Sequence, residues 1–320
     1  MLIKETKSGQ TYEVKLPAKE TGNIKIVCPA CSKTHSPGNQ NNKDLSFNLE
    51  NKIGNCHRCG AIFYKPRLKS ETKKEYSKPV WKNSTDLHDS IIKYFEGRKI
   101  SQTTIRWNNL VSGGIEFMAG KEVQTIQFNY WRNNELVNIK YRDARKNFKM
   151  YKDAELIFYN IDSVKGQKYV IITEGEFDCL SLIEAGFVSV ISVPNGAQSI
   201  DFIENCIDEI AGIEKIILAV DQDEPGFKLK NELARRLGIE RCYKVDFNDC
   251  KDANEYHVKY GSEKLREVID GCDPFPIEGV FSAIDLHDEL ESIYFNGLPG
   301  GETINVQEFD KLLTWQSGRI

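Results

Sequence analysis

The pattern of hydrophobic and polar positions changes along the chain. Residues 169–260 contain short apolar runs separated by segments with helical spacing, as in "YVIIT" (169–173) followed by "FDCLSLIEAG" (177–186). Alternation of strands and helices predicts crossover units and a parallel sheet covered by helices. The fold class predicted for this region is therefore α/β.

A different pattern precedes this region. A helix is predicted to begin with Ser84 or Thr85 as its cap, because apolar residues then recur at helical spacing. Residues 125–142 alternate apolar and polar positions on both sides of the turn Arg132–Glu135, which predicts a β-hairpin. We therefore expect a mixed α+β subdomain upstream of the α/β domain.

These patterns divide the chain into five parts. In order, they are a cysteine-containing module, a flexible basic linker, a basic subdomain, the α/β domain, and a terminal segment without a closing element: 1–64, 65–83, 84–166, 167–262 and 263–320. The linker is assigned because its residues are polar, basic and nearly free of aliphatic side chains. The terminal segment predicts that the chain belongs to a longer protein.

Charge is distributed unevenly over the 320 residues. Residues 65–82 and residues 132–152 each carry a net charge of +5, and since the total is −4, the rest of the chain carries −14. Such local asymmetry is compatible with a nucleic-acid partner despite the negative total. Neither a signal segment nor an apolar run of membrane-spanning length is present in the sequence. We expect a cytoplasmic protein with no membrane partner.

Four of the nine cysteines form two C-x-x-C pairs, "CPAC" (Cys28, Cys31) and "CHRCG" (Cys56, Cys59). Two tight turns that each present two thiolates can complete a tetrahedral sulfur site for zinc, which predicts a zinc-ribbon module with a structural ion. The alternative is two unrelated C-x-x-C turns or a redox pair. The other five cysteines are scattered, which fits a reducing compartment.

Carboxylates follow several of the predicted strands. Because the carboxyl ends of parallel strands share one edge of a sheet, these side chains are expected to meet in one cleft. They are Glu174, Asp178, Asp221, Asp223 and Asp252. A set of carboxylates without histidine suits a hard cation, Mg²⁺ or Mn²⁺, which can clamp the oxygens of a phosphoryl transfer. The alternative for Glu176, and for Asp178 taken alone, is an acid at a helix start favoured by the helix dipole, so the prediction depends on the set.

Three stretches, "TEGEFDCLSL", "LAVDQDEPG" and "KDANEY", resemble the Toprim family. Together with the four cysteines and "YFEGRKIS", they are similar to fused phage primase–helicases and the related helicase Twinkle. The resemblance implies that Glu174 handles protons or metal and that Asp221 and Asp223 hold the catalytic Mg²⁺ or Mn²⁺. It also implies that Asp178 and Asp252 assist.

By the same resemblance, the chain is expected to be a DNA primase that copies single-stranded DNA into short RNA primers from ribonucleoside triphosphates by two-metal nucleotidyl transfer. The tail "LPGGETINVQEFDKLLTWQSGRI" resembles the start of a helicase domain that is hexameric in the intact protein. The sequence contains no G-x-x-x-x-G-K-[ST] motif. A phage-infected bacterial cytoplasm is the expected location. The alternatives are a Toprim-type metal-dependent nuclease and a non-catalytic DNA-binding module.

A basic segment with interleaved aromatic residues lies just upstream of the Toprim motifs. Its cations suit phosphates of a nucleotide or of the template, and its aromatic rings can stack on bases. The candidate nucleotide- and template-binding residues are Lys140, Arg142, Arg145, Lys146 and Lys149. Lys140 and Arg142 alternate on a strand and are predicted to share one face. The alternative is a solvated strand edge protected by lysines.

Overall fold

A computed structural model of the chain describes eight stretches, and the structural statements below concern these residues. They are 1–16, 21–50, 52–66, 76–80, 87–118, 120–195, 201–277 and 286–297. Met1–Phe275 forms one unit and Pro276–Ile320 a second. The two units are described separately.

The N-terminal lobe, residues 1–66, is built on one antiparallel sheet. Its strands are β1 (Leu2–Glu5), β2 (Thr11–Glu13), β3 (Asn23–Ile26), β4 (Leu45–Asn48), β5 (Ile53–Cys56) and β6 (Ile62–Tyr64). They are ordered β2-β1-β6-β5-β4-β3. Successive side chains of a strand point to opposite faces, and one face supplies a small core in which Leu45, Phe47 and Phe63 are fully buried. The lobe thus corresponds to the predicted zinc-ribbon module.

Two short helices follow the lobe in the described residues. They are α1 (Asp89–Glu96) and α2 (Gln102–Arg106). The side chain of His88 caps α1, and the apolar face of the helix buries Phe95 completely. The predicted cap positions Ser84 and Thr85 lie outside the described residues. A helix as short as α1 depends on this apolar face for its stability.

A second antiparallel sheet contains the predicted hairpin. Its strands are β7 (Val111–Met118), β8 (Lys121–Arg132), β9 (Glu135–Asp143) and β10 (Phe148–Met150), in the order β10-β9-β8-β7. Asn133 and Asn134 form the turn between β8 and β9 with φ of 52° and 62°. Positive φ at both central residues is the requirement of a type I′ turn, which asparagine tolerates. The predicted turn is therefore confirmed.

The α/β domain follows the predicted alternation. Its elements are β11 (Tyr169–Thr173), α3 (Glu176–Glu184), β12 (Val190–Ser192), α4 (Asp201–Asn205), α5 (Ile207–Ile210), β13 (Lys215–Ala219), α6 (Glu224–Leu237), β14 (Cys242–Lys244), α7 (Ala253–Asp270) and β15 (Asp273–Pro274). The sheet order is β12-β11-β13-β14-β15, with four parallel strands and an antiparallel β15 at the edge. Strands buried on both faces read as continuous apolar runs, which explains "YVIIT" and "KIILA".

The second sheet packs directly on the α/β domain. Phe128 of β8 contacts Phe177 of α3 edge to face, with ring centroids 5.2 Å apart. Phe95 of α1 lies 5.4 Å from the same ring. These residues join one continuous apolar core that runs from α1 to α7. The packing holds β8 and β9 beside the start of α3, where the carboxylates of "TEGEFD" lie.

The N-terminal lobe contacts the α/β domain near the starts of the parallel strands. Ile53 and Tyr64 pack against Ala211, which comes shortly before β13 begins. Glu50 forms an ion pair with Arg235 in the last turn of α6. The lobe therefore packs where the parallel strands start, whereas the predicted acidic cluster lies where they end.

The described residues of the second unit include helix α8 (His287–Asn296). Its residues Leu290, Tyr294 and Phe295 are exposed. Across the described ranges of both units, we find no helix with the length and apolar character needed to cross a membrane.

Candidate active site and metal centre

The four cysteines of the two C-x-x-C pairs converge at one end of the N-terminal lobe. Cys28 and Cys31 lie in the turn after β3, and Cys56 and Cys59 lie at the end of β5 and in the turn that follows. The Sγ atoms of Cys28 and Cys59 are 3.9 Å apart, and those of Cys31 and Cys56 are 3.8 Å apart. Backbone hydrogen bonds from Ser32 to Cys28 and from Gly60 to Cys56 close the two turns.

This spacing can be compared with that of a tetrahedral metal site. Four sulfurs at the Zn–S distance of about 2.3 Å lie roughly 3.8 Å from one another. All four Sγ atoms lie within 4.8 Å of one another. Burial raises the pKa of the Cys28 thiol to about 11, so a bound cation is needed to hold this sulfur as a thiolate at neutral pH. The four cysteines therefore fit a closed, four-coordinate metal site.

The predicted acidic residues collect at the carboxyl edge of the parallel sheet. Glu174 follows β11 and Asp221 follows β13. Asp223 caps α6 by accepting a hydrogen bond from Gly226 N, and Asp252 caps α7 by accepting one from Glu255 N. Asp178 lies in the first turn of α3. The structure thus brings the five residues together, as the strand pattern predicted.

The acidic side chains are held less tightly than the cysteines. Among the described residues, no three of these acids place one carboxylate oxygen each within 4.8 Å of one another. Lys251 bridges two of them, with Nζ 3.0 Å from Asp221 Oδ2 and 3.0 Å from Asp223 Oδ2. These hydrogen bonds raise the pKa of Lys251. Two carboxylates that share one cation in this way form a pair to which a divalent ion can bind.

The position of Lys251 between Asp221 and Asp223 is not among the sequence predictions. In the motif "KDANEY", only Asp252 is predicted to lie in the cluster. The signal was present, because a cation directly before the cap Asp252 must lie at the same sheet edge as the other acids.

The surroundings of Glu174 favour its protonated form. Burial, followed by the charges of Asp221 and Asp223, raises its pKa to about 7. Its Oε2 is buried and accepts no hydrogen bond from any residue in the described ranges. A buried carboxylate oxygen without a partner is costly, and a cation or a substrate hydroxyl at this position would satisfy it.

Asp178 is buried rather than solvated. Burial raises its pKa well above the ordinary value, and the neighbouring charges of Asp252 and Asp221 add to this effect. Its Oδ1 accepts a hydrogen bond of 2.9 Å from the backbone N–H of Asn254. Asp178 therefore lies within the cluster and is fixed by the first turn of α7.

Two glycines make room for the acids. A Cβ atom on Gly226 would lie 2.1 Å from the carbonyl oxygen of Asp221. A Cβ atom on Gly175 would lie 2.7 Å from Asp178 Oδ2. Close approach to backbone thus requires glycine at position 226, whereas a side chain at position 175 would force the Asp178 carboxylate to move. These two approaches explain the glycines of "TEGEFD" and "DQDEPG".

The basic segment is divided by its strand register. Lys140 and Arg142 share one face of β9, as predicted, and this face meets the α/β domain. Lys140 Nζ contacts both carboxylate oxygens of Glu176, at 2.9 and 3.1 Å, and Tyr130 donates a hydrogen bond to the same carboxylate. Glu176 is only 3% exposed, so this is a buried ion pair.

The other basic residues lie elsewhere. Arg142 is buried under Phe148, with its guanidinium 4.8 Å from the ring of Phe177. Lys149 lies on the opposite face of the sheet, beside Tyr141, and pairs with Glu116 at 2.8 Å. Arg145 and Lys146 are exposed in the turn between β9 and β10. The five residues therefore do not form one patch.

Known proteins share parts of this architecture. Residues 171–257 match the Toprim-like family. The chain is 32% identical over 313 residues to a chloroplastic/mitochondrial Twinkle homolog protein of Arabidopsis thaliana, covering 87% of this chain and 42% of that protein. It is also 32% identical over 168 residues to the DNA helicase/primase of Enterobacteria phage T3, covering 50% of this chain and 29% of the phage protein.

The fold is also found in a solved structure. The zinc-binding and RNA polymerase domains of Aquifex aeolicus primase superimpose with a TM-score of 0.51 at 14% identity, covering 92% of this chain and 90% of that one. The chain spans less than half the length of each of the two sequence relatives. It thus contains a Toprim-like domain behind a four-cysteine lobe, and it resembles the Toprim-type primase portion of fused primase–helicases.

Proposed function

We propose that the protein is a DNA primase that joins ribonucleotides on a single-stranded DNA template. The observation that carries the proposal is the acidic cluster of Glu174, Asp178, Asp221, Asp223 and Asp252 at the carboxyl edge of a Toprim-like sheet. Carboxylates that converge on a cation position suit phosphoryl transfer. The likeness to the phage DNA helicase/primase supports joining of nucleotides as the reaction.

The reaction forms a bond between the 3′-hydroxyl oxygen of one nucleotide and the α-phosphorus of the next, and pyrophosphate leaves with the electrons of the broken P–O bond. Mg²⁺ or Mn²⁺ held by Asp221 and Asp223, with Glu174, would polarise the hydroxyl and balance charge on the phosphates. In the metal-free protein, burial and the charges of Asp221 and Asp223 raise the pKa of Glu174 to about 7. A bound divalent ion would lower this pKa and hold Glu174 as the carboxylate, the form that can accept the hydroxyl proton.

The cations around the cluster have separate tasks in this proposal. Lys251 leaves the Asp221–Asp223 pair when a divalent ion binds and can then contact the triphosphate. Lys140 and Arg142 lie on the sheet face that meets α3, and Lys140 would have to leave Glu176 before it could contact a phosphate of the nucleotide. Arg145 and Lys146 are exposed and contact the template backbone. Lys149 lies on the far face and would contact a strand there.

The proposal also covers the four-cysteine lobe, a helicase partner and the location in the cell. The four cysteines hold a structural zinc ion, and the N-terminal lobe assists template use. A helicase domain is the proposed partner of this primase portion, which the likeness to a DNA helicase/primase supports, and a hexameric assembly of that partner is part of the proposal. The same relative supports action in the cytoplasm of a phage-infected bacterium.

A primer-synthesis assay tests the proposal. The chain is incubated with mixed single-stranded DNA templates, labelled ribonucleotides and Mg²⁺ or Mn²⁺, beside Glu174→Gln and the matched control Glu263→Gln, an exposed residue of α7. We expect short template-dependent RNA from the wild type and the control, and a loss of at least a hundredfold in Glu174→Gln. Metal-dependent degradation of the template without RNA would favour a nuclease, and binding without turnover a non-catalytic module.

A further inference from the structure

The segment between α1 and α2 contacts the acidic cluster through one residue of α7. Arg98 Nη1 donates a hydrogen bond of 2.6 Å to Asn254 Oδ1, and Asn254 Nδ2 donates one of 3.1 Å back to the carbonyl oxygen of Arg98. Asn254 Nδ2 also reaches Ser181 Oγ on α3 at 2.8 Å. The Asn254 side chain is therefore satisfied from two different elements.

The backbone of Asn254 completes the connection. Its N–H is one of the free donors in the first turn of α7, and it donates to Asp178 Oδ1 at 2.9 Å. Asn254 is 4% exposed and Asp178 is 7% exposed. A buried carboxylate surrounded by other acids needs such a donor to keep its position. The start of α7 also carries Asp252 and follows Lys251, so its orientation fixes three groups of the cluster.

Arg98 itself is held in place. Its guanidinium lies 4.5 Å from the ring of Phe177 and 5.1 Å from the ring of Tyr94. Three residues further on, Ser101 donates hydrogen bonds from N and Oγ to Glu184 at the end of α3. The segment Arg98–Ser101 is thus attached to α3 at one end and to α7 at the other.

We propose that Arg98 and Asn254 are positioning residues that hold Asp178 and the first turn of α7 in the geometry that binds the divalent cation. Neither side chain touches the cation in this arrangement. The inference rests on the proposed function only in assigning a divalent ion to the cluster. It also gives a physical reason for the presence of both "EGRKIS" and "KDANE" in one chain, because the arginine of one meets the asparagine of the other.

Binding of Mn²⁺ to the full chain tests this inference without any need for RNA synthesis. The zinc-loaded protein is titrated with Mn²⁺, and free Mn²⁺ is followed by electron paramagnetic resonance. The double variant Asp221→Asn, Asp223→Asn defines binding outside the cluster. We expect Arg98→Ala and Asn254→Ala each to weaken binding by about tenfold, as is typical of partners that orient metal ligands. The variant with both changes should be no weaker than Asn254→Ala.

Three controls separate positioning from general loosening. Arg106→Ala removes an exposed arginine of α2 and should bind like the wild type. Ser101→Ala loosens the same segment without touching Asn254 and should change the affinity by less than about twofold. Arg98→Lys keeps a donor that can reach Asn254 Oδ1 and should recover part of the affinity. Thermal melting confirms that each variant is folded at the assay temperature.

The possible results decide between the two proposals. Wild-type affinity in Arg98→Ala, additive losses in the double variant, or an equal loss in Ser101→Ala would overturn the positioning role. So would a wild type that binds no more Mn²⁺ than the Asp221, Asp223 variant. If the wild type binds Mn²⁺ at the cluster but makes no RNA, and Arg98→Ala and Asn254→Ala show the expected non-additive loss of Mn²⁺ binding, the primase proposal fails and the positioning role stands.

Discussion

The protein contains two groups of cation ligands that are built in opposite ways. The four cysteines lie in two tight turns of one small lobe, and their sulfurs already stand at 3.8 and 3.9 Å. The acids come from the ends of separate elements of a larger sheet and stand farther apart. Local turns therefore preform the first site, whereas the packing of the whole α/β domain assembles the second.

The two sites also differ in how their charge is balanced. The cysteine site is closed, with sulfur as its only ligand type, which is typical of a structural ion. In the acidic site, the flexible ammonium of Lys251 balances Asp221 and Asp223. Carboxylates that exchange one cation for another suit a metal that must bind together with substrate phosphates. The cysteine site is therefore fixed by its own turns, whereas the acidic site can exchange the ammonium of Lys251 for another cation.

The largest expected effect is on the rigid site. Cys56→Ser removes a fully buried ligand at the end of β5, and structural zinc sites contribute about 10 kcal/mol to folding. We expect loss of zinc and unfolding of the lobe, with the α/β domain still folded. Zinc content per chain and hydrogen exchange over residues 23–64 measure both. Cys272→Ser, outside the cluster, is the matched control, and a full zinc content in Cys56→Ser would contradict the closed site.

The next largest effect is expected on stability, from breaking the buried ion pair of Lys140 and Glu176. Lys140→Met leaves the Glu176 carboxylate buried and unpaired, which should lower the free energy of unfolding by about 3 kcal/mol. Adding Glu176→Gln should recover much of this loss, because the buried charge is then removed. Urea unfolding measures both variants.

Lys149→Met is the matched control, since the pair of Lys149 with Glu116 is much more exposed. Lys149→Met should lower the free energy of unfolding by less than about 1 kcal/mol. Equal stability of Lys140→Met and the wild type would show that the Lys140–Glu176 pair is loose. Lys140 would then be as exchangeable as Lys251 and better suited to phosphate binding.

A smaller effect is expected from backbone crowding at the acidic site. In Gly226→Ala, the new methyl group meets the carbonyl oxygen of Asp221 at 2.1 Å, so that the strand end or α6 must shift. We expect a loss of about 2 kcal/mol in the free energy of unfolding and about tenfold weaker Mn²⁺ binding. Gly38→Ala, which has open space around it, should change neither quantity. Unchanged Mn²⁺ affinity in Gly226→Ala would mean that the Asp221 backbone need not be fixed.

The same contrast explains what the sequence could predict. The cysteine site is encoded by local spacing, and a C-x-x-C turn specifies its geometry with little help from the rest of the chain. The convergence of Glu174 and Asp221 was also predictable, because the carboxyl ends of parallel strands meet at one edge. Both predictions rest on rules that need no knowledge of how the domains pack.

The contacts between elements were not predictable in this way. Glu176 has the sequence context of a solvated helix start, and only the packing of β8 and β9 on α3 buries it against Lys140. Lys149 follows a turn whose register places it opposite Tyr141, on the face away from Lys140. A shift of one residue would have placed it on the other face, and nothing in the local pattern determines that register.

The smallest expected effect measures what the acidic site costs when no divalent ion balances it. The pKa of Glu174 is about 7 in the folded protein, against an ordinary value of 4.5. The folded state therefore holds this proton more tightly than the unfolded chain does. Its contribution to stability is complete below pH 4.5 and is lost as the pH rises through about 7. Glu174→Gln, which cannot ionise, escapes this loss.

We therefore expect Glu174→Gln to gain about 1 kcal/mol over the wild type in free energy of unfolding between pH 5 and pH 8, because partial exposure screens the interaction. Urea unfolding of the zinc-loaded protein in Mg²⁺-free buffer measures the difference, and Glu263→Gln provides the baseline. Added Mg²⁺ should stabilise the wild type at pH 8 more than the variant. If the difference in free energy of unfolding between Glu174→Gln and the wild type does not change with pH, Glu174 is already ionised at pH 5. The folded protein would then tolerate the charges of the acidic cluster without a divalent ion.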